Sequence, residues 1–358
     1  MKQKALLSPA LLSILTCAYA ADAPQPFFEQ GLILPDSKVQ KNDLYPAAYN
    51  TPASFQIDRN WQISANASYL YWYMGQDDMY YAFVQSVINT TVGAIFSQNF
   101  GYNSGFQVGL GFDPHRDGWS VNAEYTWYHN TESQSDIAPP ANSTASGGWT
   151  INSFSPVLGG PYETVSSKWS LKFDQLDLVA SRPFYEGQTL TVNPSCGLRA
   201  LWIQQFASVT ASNPGQPNDI SSANSHSWAL GVVGNMNGRC MLYKGLRVDS
   251  LLGSSLLYTH YSPVSNYSNT ESHLGTKGIT RAPISINSMV RPTFNAGLGL
   301  GYSAYLFKNQ FVFDLAARYD FNYFWAQNVA FNDPFSITGI SYGDLYLHGL
   351  TVNLLVDF

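Results

Sequence analysis

In this 358-residue chain, the side chains with chemical potential are charged ones set into segments where polar and apolar residues alternate. They are Asp113, Glu124, Lys172, Asp174, Asp177, Arg199, Arg247, Asp249, Arg291, Asp314, Arg318, Asp320 and Asp357. Eight acids facing five bases do electrostatic rather than covalent work: they draw ions along a wall, or close on one another as ion pairs. A covalent reading rests on His260-Tyr261-Ser262, a His-x-Ser arrangement that outer-membrane phospholipases place at the lipid boundary, yet the sequence supplies no group to orient the imidazole. The six His are scattered without metal-ligand spacing, and GLGLGY at 297–302 lacks the helix that a nucleotide loop needs. No catalytic, cofactor-binding or metal-binding residue is expected, and the chain reads as a non-enzyme.

The elements that carry these charges follow a period of two. Trp61, Ile63, Ala65, Ala67 and Tyr69 alternate with Gln62, Ser64, Asn66 and Ser68, and Phe106, Val108, Leu110 and Phe112 alternate with Gln107, Gly109, Gly111 and Asp113. After turn residues 115–118, Trp119, Val121, Ala123, Tyr125 and Trp127 continue the pattern. A fourth strand spans about 168–183, where Trp169, Leu171 and Phe173 give way to Leu176 and Leu178, a slip that predicts a bulge. Six more follow near 189–206, 225–237, 246–260, Phe294–Tyr302, Phe311–Phe321 and the last residues. Links after even-numbered strands are short (114–118, 184–188, 238–245, 306–310), while those after odd-numbered strands are long (75–104, 129–167, 207–224, 261–290, 325–343).

Composition agrees with a wall that is greasy on one side and wet on the other. Charged residues make up 12%, aromatic residues 15%, and hydrophobic residues 45%, so the charge is about half that of ordinary soluble domains. Three cysteines exclude a disulfide scaffold. Beyond position 20 no apolar run is long enough for a membrane helix. The aromatic content excludes disorder. Strictly alternating short and long connections, with aromatics gathered at strand ends, predict a transmembrane antiparallel β-barrel, an all-β fold of about 10 strands with 12 as the alternative. It would have short periplasmic turns and long extracellular loops. One aromatic girdle is expected from Tyr69, Tyr71, Trp72, Tyr73, Tyr125, Trp127, Tyr128, Tyr319, Phe321, Tyr323, Phe324 and Trp325. The other is expected from Phe112, Trp119, Phe184, Tyr185, Phe307 and Phe311.

Both ends of the chain carry address signals. Lys2 and Lys4, an apolar run from Ala5 to Cys17, and Ala18-Tyr19-Ala20 predict an exported signal peptide over 1–20. Its removal leaves 16 basic against 24 acidic residues, which argues against nucleic acid as a partner. Five prolines between positions 22 and 58 exclude a regular strand there, so 21–58 reads as a periplasmic N-terminal arm and 59–358 as the barrel. Tyr80, Val84, Val87, Ile88 and Thr91 recur at helical spacing, predicting a short amphipathic helix in the first long loop. At the other end, Leu350, Val352, Leu354, Val356 and Phe358 finish an amphipathic strand in a terminal Phe, the signal read by the outer-membrane insertion machinery. Cys196 and Cys240 are placed too far apart along the wall to bridge.

These residues resemble the Legionella-type major outer membrane proteins, pore-forming barrels also found among environmental chlamydiae. The resemblance lies in YPAAYNTPA (45–53), WQISANASYLYW (61–72), GFQVGLGFDPHRDGWSVNAEYTWYH (105–129), KFDQLDLVASRPFYEGQTLTVNPSCGLRALWIQQ (172–205) and YLHGLTVNLLVDF (346–358). It implies an integral barrel of the bacterial outer membrane with porin activity and brings no active-site residues. With the apolar face towards lipid, the thirteen charges line the lumen, and Gly109, Gly111, Gly231, Gly297, Gly299 and Gly301 thin its wall. The expectation is a narrow, water-filled, mildly cation-preferring pore for ions and small hydrophilic solutes. A plugged structural or adhesive barrel is the alternative, and a hydrolase centred on His260 and Ser262 a weaker one. Expected partners are outer-membrane lipids and the insertion machinery, and homo-oligomers are compatible with the sequence.

Overall fold

The computed structural model describes residues 61–77, 79–86, 92–114, 118–137, 149–153, 163–212, 215, 217–243, 245–262, 264–270, 278–284, 288–306, 311–328 and 343–357. Residues 1–20, expected to be a signal peptide, residues 21–58, expected to form an N-terminal arm, and Phe358 lie outside them. In chain order the strands are β1 (Gln62–Gln76), β2 (Tyr80–Ser86), β3 (Val92–Ser97), β4 (Tyr102–Asp113), β5 (Ser120–Ile137) and β6 (Trp149–Ser153). Then come β7 (Thr164–Ser181), β8 (Tyr185–Glu186), β9 (Leu190–Ser212), β10 (Asp219–Tyr243) and β11 (Leu246–Tyr261). β12 (Val264–Thr270), β13 (Gly278–Ile284), β14 (Ser288–Leu306), β15 (Phe311–Asn328) and β16 (Gly343–Asp357) complete the set.

Ten of these strands close on themselves. The antiparallel order β10-β11-β14-β15-β16-β1-β4-β5-β7-β9 returns to β10 through the β9–β10 pairing. The chain's first and last strands meet along Ser64↔Asp357 to Gln76↔Leu345. Closure satisfies every backbone group of the wall inside the ring, the condition for a sheet to cross lipid. No helix among the described residues is long and apolar enough to cross, so the crossing is made by strands. Outward positions carry the apolar set, with Leu110 65% and Val290 64% exposed. An apolar surface of that extent around a whole cylinder is stable only against lipid.

Four expectations are corrected. β7 carries no bulge: its register with β5 and with β9 runs unbroken from Thr164 to Ser181. Trp169, Leu171 and Phe173 therefore share a face with Asp177, not with Leu176 and Leu178. The 207–224 link is mostly sheet, because β9 and β10 stay paired out to Ala211↔Asp219. Their 23 and 25 residues exceed the roughly 9–11 that a bilayer needs, so the hairpin stands well outside the membrane. The predicted helix over Tyr80–Thr91 is, over Tyr80–Ser86, strand β2, paired with β3 and β6. Its run of aromatic and β-branched residues fits a pleated surface better than a helix, while Val87, Ile88 and Thr91 lie outside the described residues. The 238–245 turn is shorter than expected, since Tyr243 already pairs with Leu246 and Gly245 makes the reversal at φ +89°. Cys196 is a free thiol level with Gly234, well along the strand from Cys240.

Candidate functional site

The inward positions of the ten strands form two stacked zones. On the periplasmic side the zone is ionic. Arg199 forks onto Asp177, with Nε donating to Oδ1 at 2.8 Å and Nη2 to Oδ2 at 2.7 Å. Neighbouring strands β7 and β9 place them opposite each other in register. Arg247 is shared: Nε donates to Asp249 at 2.7 Å and Nη2 to Asp314 at 2.6 Å. Ser303 Oγ also donates to Asp314, at 2.9 Å, and Arg318 pairs with Asp320. Glu124 accepts from Gln107 Nε2 at 2.7 Å and from Asn66 Nδ2 at 3.3 Å. Arg247 is 2% exposed and Arg199 5%. Charges buried that deeply persist because each is met by an opposite charge and by hydrogen bonds. At the periplasmic mouth a polar cavity is lined by Arg239, Met241, Arg247, Ser303, Val312, Asp314, Leu355 and Asp357.

Above this zone, towards the extracellular side, the lumen is apolar. Leu70, Trp72 and Met74 from β1, Tyr128 from β5 and Trp169, Leu171 and Phe173 from β7 join one buried cluster. Leu201, Ile203 and Ala207 from β9, Ala229 from β10, Leu257 from β11, Phe324 from β15, Leu345 and Leu347 from β16, and Met79 complete it. Eight of the ten barrel strands contribute. β7 and β15 stand diametrically opposite in the ring, yet the rings of Phe173 and Phe324 meet edge to face at 5.4 Å between centroids. Leu70 and Trp169 have no exposed surface, so the layer is close-packed around them. Tyr128 Oη donates to the carbonyl of Trp72 at 2.7 Å and Trp72 Nε1 to Thr351 Oγ1 at 3.0 Å, which satisfies those two polar groups, while Trp169 Nε1 is buried without a hydrogen-bond acceptor. Over it, Gln76 donates across to Gln205 at 3.3 Å.

Eleven of the thirteen charges expected to line the lumen face inward: Asp113, Glu124, Asp177, Arg199, Arg247, Asp249, Arg291, Asp314, Arg318, Asp320 and, at the mouth, Asp357. Lys172 and Asp174 do not. With no bulge in β7 they project outwards, where Asp174 accepts from Tyr125 Oη at 2.6 Å and lies 3.3 Å from His129 Nε2. Three residues expected in the aromatic girdle, Trp72, Tyr128 and Phe324, belong to the inner apolar layer. The glycine argument for an open lumen also fails. A Cβ at Gly297 or Gly301 would strike Arg318 and Asp320, or Arg247 and Asp249, so these glycines make room for ion pairs rather than for water.

Sequence reasoning missed Arg239, whose side chain is half exposed at the mouth and 3.8 Å from Asp249. It also missed the apolar layer. The signal for that layer is present in SYLYWYM (68–74), where both alternating sets are apolar, so neither face can be wet. His260 Nδ1 lies 3.0 Å from Ser288 Oγ on the outer face, against Trp228, and no described contact joins it to Ser262. Among the described residues no group of three or more His, Cys, Asp or Glu is placed to hold a metal ion.

Comparison with known proteins places this geometry. A family model described as "Legionella pneumophila major outer membrane protein precursor" matches residues 56–358. Among solved structures, the outer membrane protease OmpT from Escherichia coli aligns at 11% identity over 85% of this chain and 98% of that one, with a TM-score of 0.38. A major outer membrane protein from Thermus thermophilus aligns at 11% identity, 84% and 100% coverage, and a TM-score of 0.28. A FadL homologue from Pseudomonas aeruginosa aligns at 8%, 84% and 90%, with 0.24. No curated protein matches.

Proposed function

The chain belongs to the Legionella major outer membrane protein family, a β-barrel of the bacterial outer membrane, and from that premise we propose that it is a porin passing ions and small hydrophilic solutes. The observation that carries the reading is the division of the lumen into a charged zone, continuous with a polar mouth, and a single apolar layer. An apolar constriction gates by dewetting: while its side chains meet, water and ions are expelled, and when they part, the charged zone below is ready to conduct. In this proposal the conformation described is the closed one, and Phe173 with Phe324 form the gate.

The inward positions of the described strands carry nine acids (Asp113, Glu124, Glu132, Asp177, Asp219, Asp249, Asp314, Asp320 and Asp357) against five arginines (Arg199, Arg239, Arg247, Arg291 and Arg318), which supports a mild preference for cations. Glu124 has amide partners rather than a bonded arginine and sits two inward positions below Tyr128, so its charge is the one that a passing ion meets next to the gate. Protein refolded into planar bilayers should give stepwise openings whose reversal potential in a KCl gradient lies on the cation side. Glu124→Lys should move the permeability ratio towards anions by about tenfold, since placing a cation on a narrow wall is worth roughly 1–2 kcal/mol at the intermediate dielectric of such a site. Anion-preferring openings in the unmodified protein would overturn the selectivity claim.

The Phe173–Phe324 contact also favours a second reading, a sealed structural barrel whose function lies in its external strands. The same bilayers separate the two readings, because a sealed barrel gives no steps at any voltage.

A further inference from the structure

We propose that the outer face of β5, β7, β9 and β10 holds the phosphorylated headgroup of an outer-leaflet glycolipid of the lipid A class. The inference starts from the register. Trp127, Asp174, Trp202 and Trp228 stand side by side on these four strands as one outward row, the aromatic row at the edge of the hydrocarbon. The next outward row above it reads His129, Lys172, Gln204 and His226, four hydrogen-bond donors in succession and no acid. The next outward position higher on β7 is Ser170, and the one above that is Lys168.

Lys168 and Lys172 are the only lysines among the described residues. Both are exposed, both project outwards from one strand, and neither has an ion-pair partner among the described residues. The one acid nearby, Asp174, is engaged by Tyr125 and His129, so it does not neutralise Lys172. Two ammonium groups four residues apart along a strand, about 13 Å at the usual rise, suit a headgroup that carries two separated phosphates. A phospholipid with a single phosphate occupies only one of them. The aromatic row beneath offers its acyl chains a flat apolar surface. This site lies on the lipid face and is independent of whether the lumen conducts.

The test uses the refolded barrel in detergent, with bisphosphorylated lipid A, dephosphorylated lipid A and phosphatidylglycerol as probes, and native mass spectrometry as the readout of bound lipid. Bisphosphorylated lipid A should bind about tenfold or more above phosphatidylglycerol, and the dephosphorylated form should fall to the phosphatidylglycerol level. A lysine near an anionic surface changes affinity by about fivefold, so Lys168→Gln with Lys172→Gln should weaken binding by roughly twenty-fivefold, whereas Lys168→Arg with Lys172→Arg should stay within about threefold. Unchanged binding by the double glutamine variant, or equal binding of all three lipids to the unmodified barrel, would overturn the proposal. Should the glutamine variant not fold, the comparison of the three lipids on the unmodified protein decides.

Discussion

Replacing both rings of the transverse pair, Phe173→Ala together with Phe324→Ala, is expected to turn brief, rare openings into sustained conductance. The two rings lie on opposite strands and meet in mid-lumen, so they join the two halves of the wall's lining directly. Burying each ring contributes about 1.5–3 kcal/mol and their edge-to-face contact up to about 1.5 kcal/mol more. Removing both therefore shifts the closed-to-open balance by about 3 kcal/mol or more, roughly a hundredfold in open probability. The substitution also leaves a cavity and lowers stability by a few kcal/mol, which unfolding in urea reports separately. Single-channel recording of the double variant beside the unmodified protein checks the expectation. A double variant that folds and stays as quiet as its parent would remove the gate from the account and leave the sealed barrel.

The second large effect concerns the shared arginine. Arg247→Met leaves Asp249 and Asp314 buried on one wall without their common cation, and breaking a buried ion network in this way costs about 3–5 kcal/mol. Replacing the three together, Arg247→Met with Asp249→Leu and Asp314→Leu, removes the charges as well as the partner and should restore stability to within about 1–2 kcal/mol of the parent. Urea unfolding of the lipid-embedded barrel, followed by tryptophan fluorescence, measures both. If the single and triple variants proved equally stable, the lumen charges would be solvated by water rather than by one another, and the ionic zone would be wetter than the contacts imply.

The barrel itself is legible in the sequence because a period of two and the alternation of short and long links are imposed by lipid and by closure. Those constraints act on every strand, so ten strands can be counted without tertiary information. The lumen is less legible for a physical reason. Alternation tells which residues share a face, but it names the faces only where one is polar. At Leu70–Met74 the inner face is as apolar as the outer, and the contrast that orients the strand disappears. At Trp169–Phe173 the contrast is inverted, with Lys168, Ser170 and Lys172 outside and the apolar residues inside, and this reads as a slip that carries Lys172 and Asp174 to the wrong side of the wall. Pairing on both edges resolves it, since the continuous register with β5 and β9 leaves no room for an extra residue. The extent of β9 and β10 escaped for a related reason: beyond the girdle, Ser208, Thr210 and Ser212 are as polar as loop residues while still holding a ladder. The ion pairs were half visible, because the sequence places acids and arginines on one face but cannot say that Arg247 serves two carboxylates at once.

The closed apolar layer and the outward lysines both depend on the facing of β7, and spin labels placed one at a time at positions 172, 173, 174 and 176 test it most directly in the refolded, lipid-embedded protein without other thiols. Position 176 should be open to oxygen from the bilayer, and positions 172 and 174 should report the polar edge of the membrane. Position 173 should be immobilised and shielded from oxygen and from water-soluble relaxants alike. A label at 173 that is reached by oxygen, with 172 and 174 reached only from the lumen, would contradict the closed apolar layer and the outward lysines together.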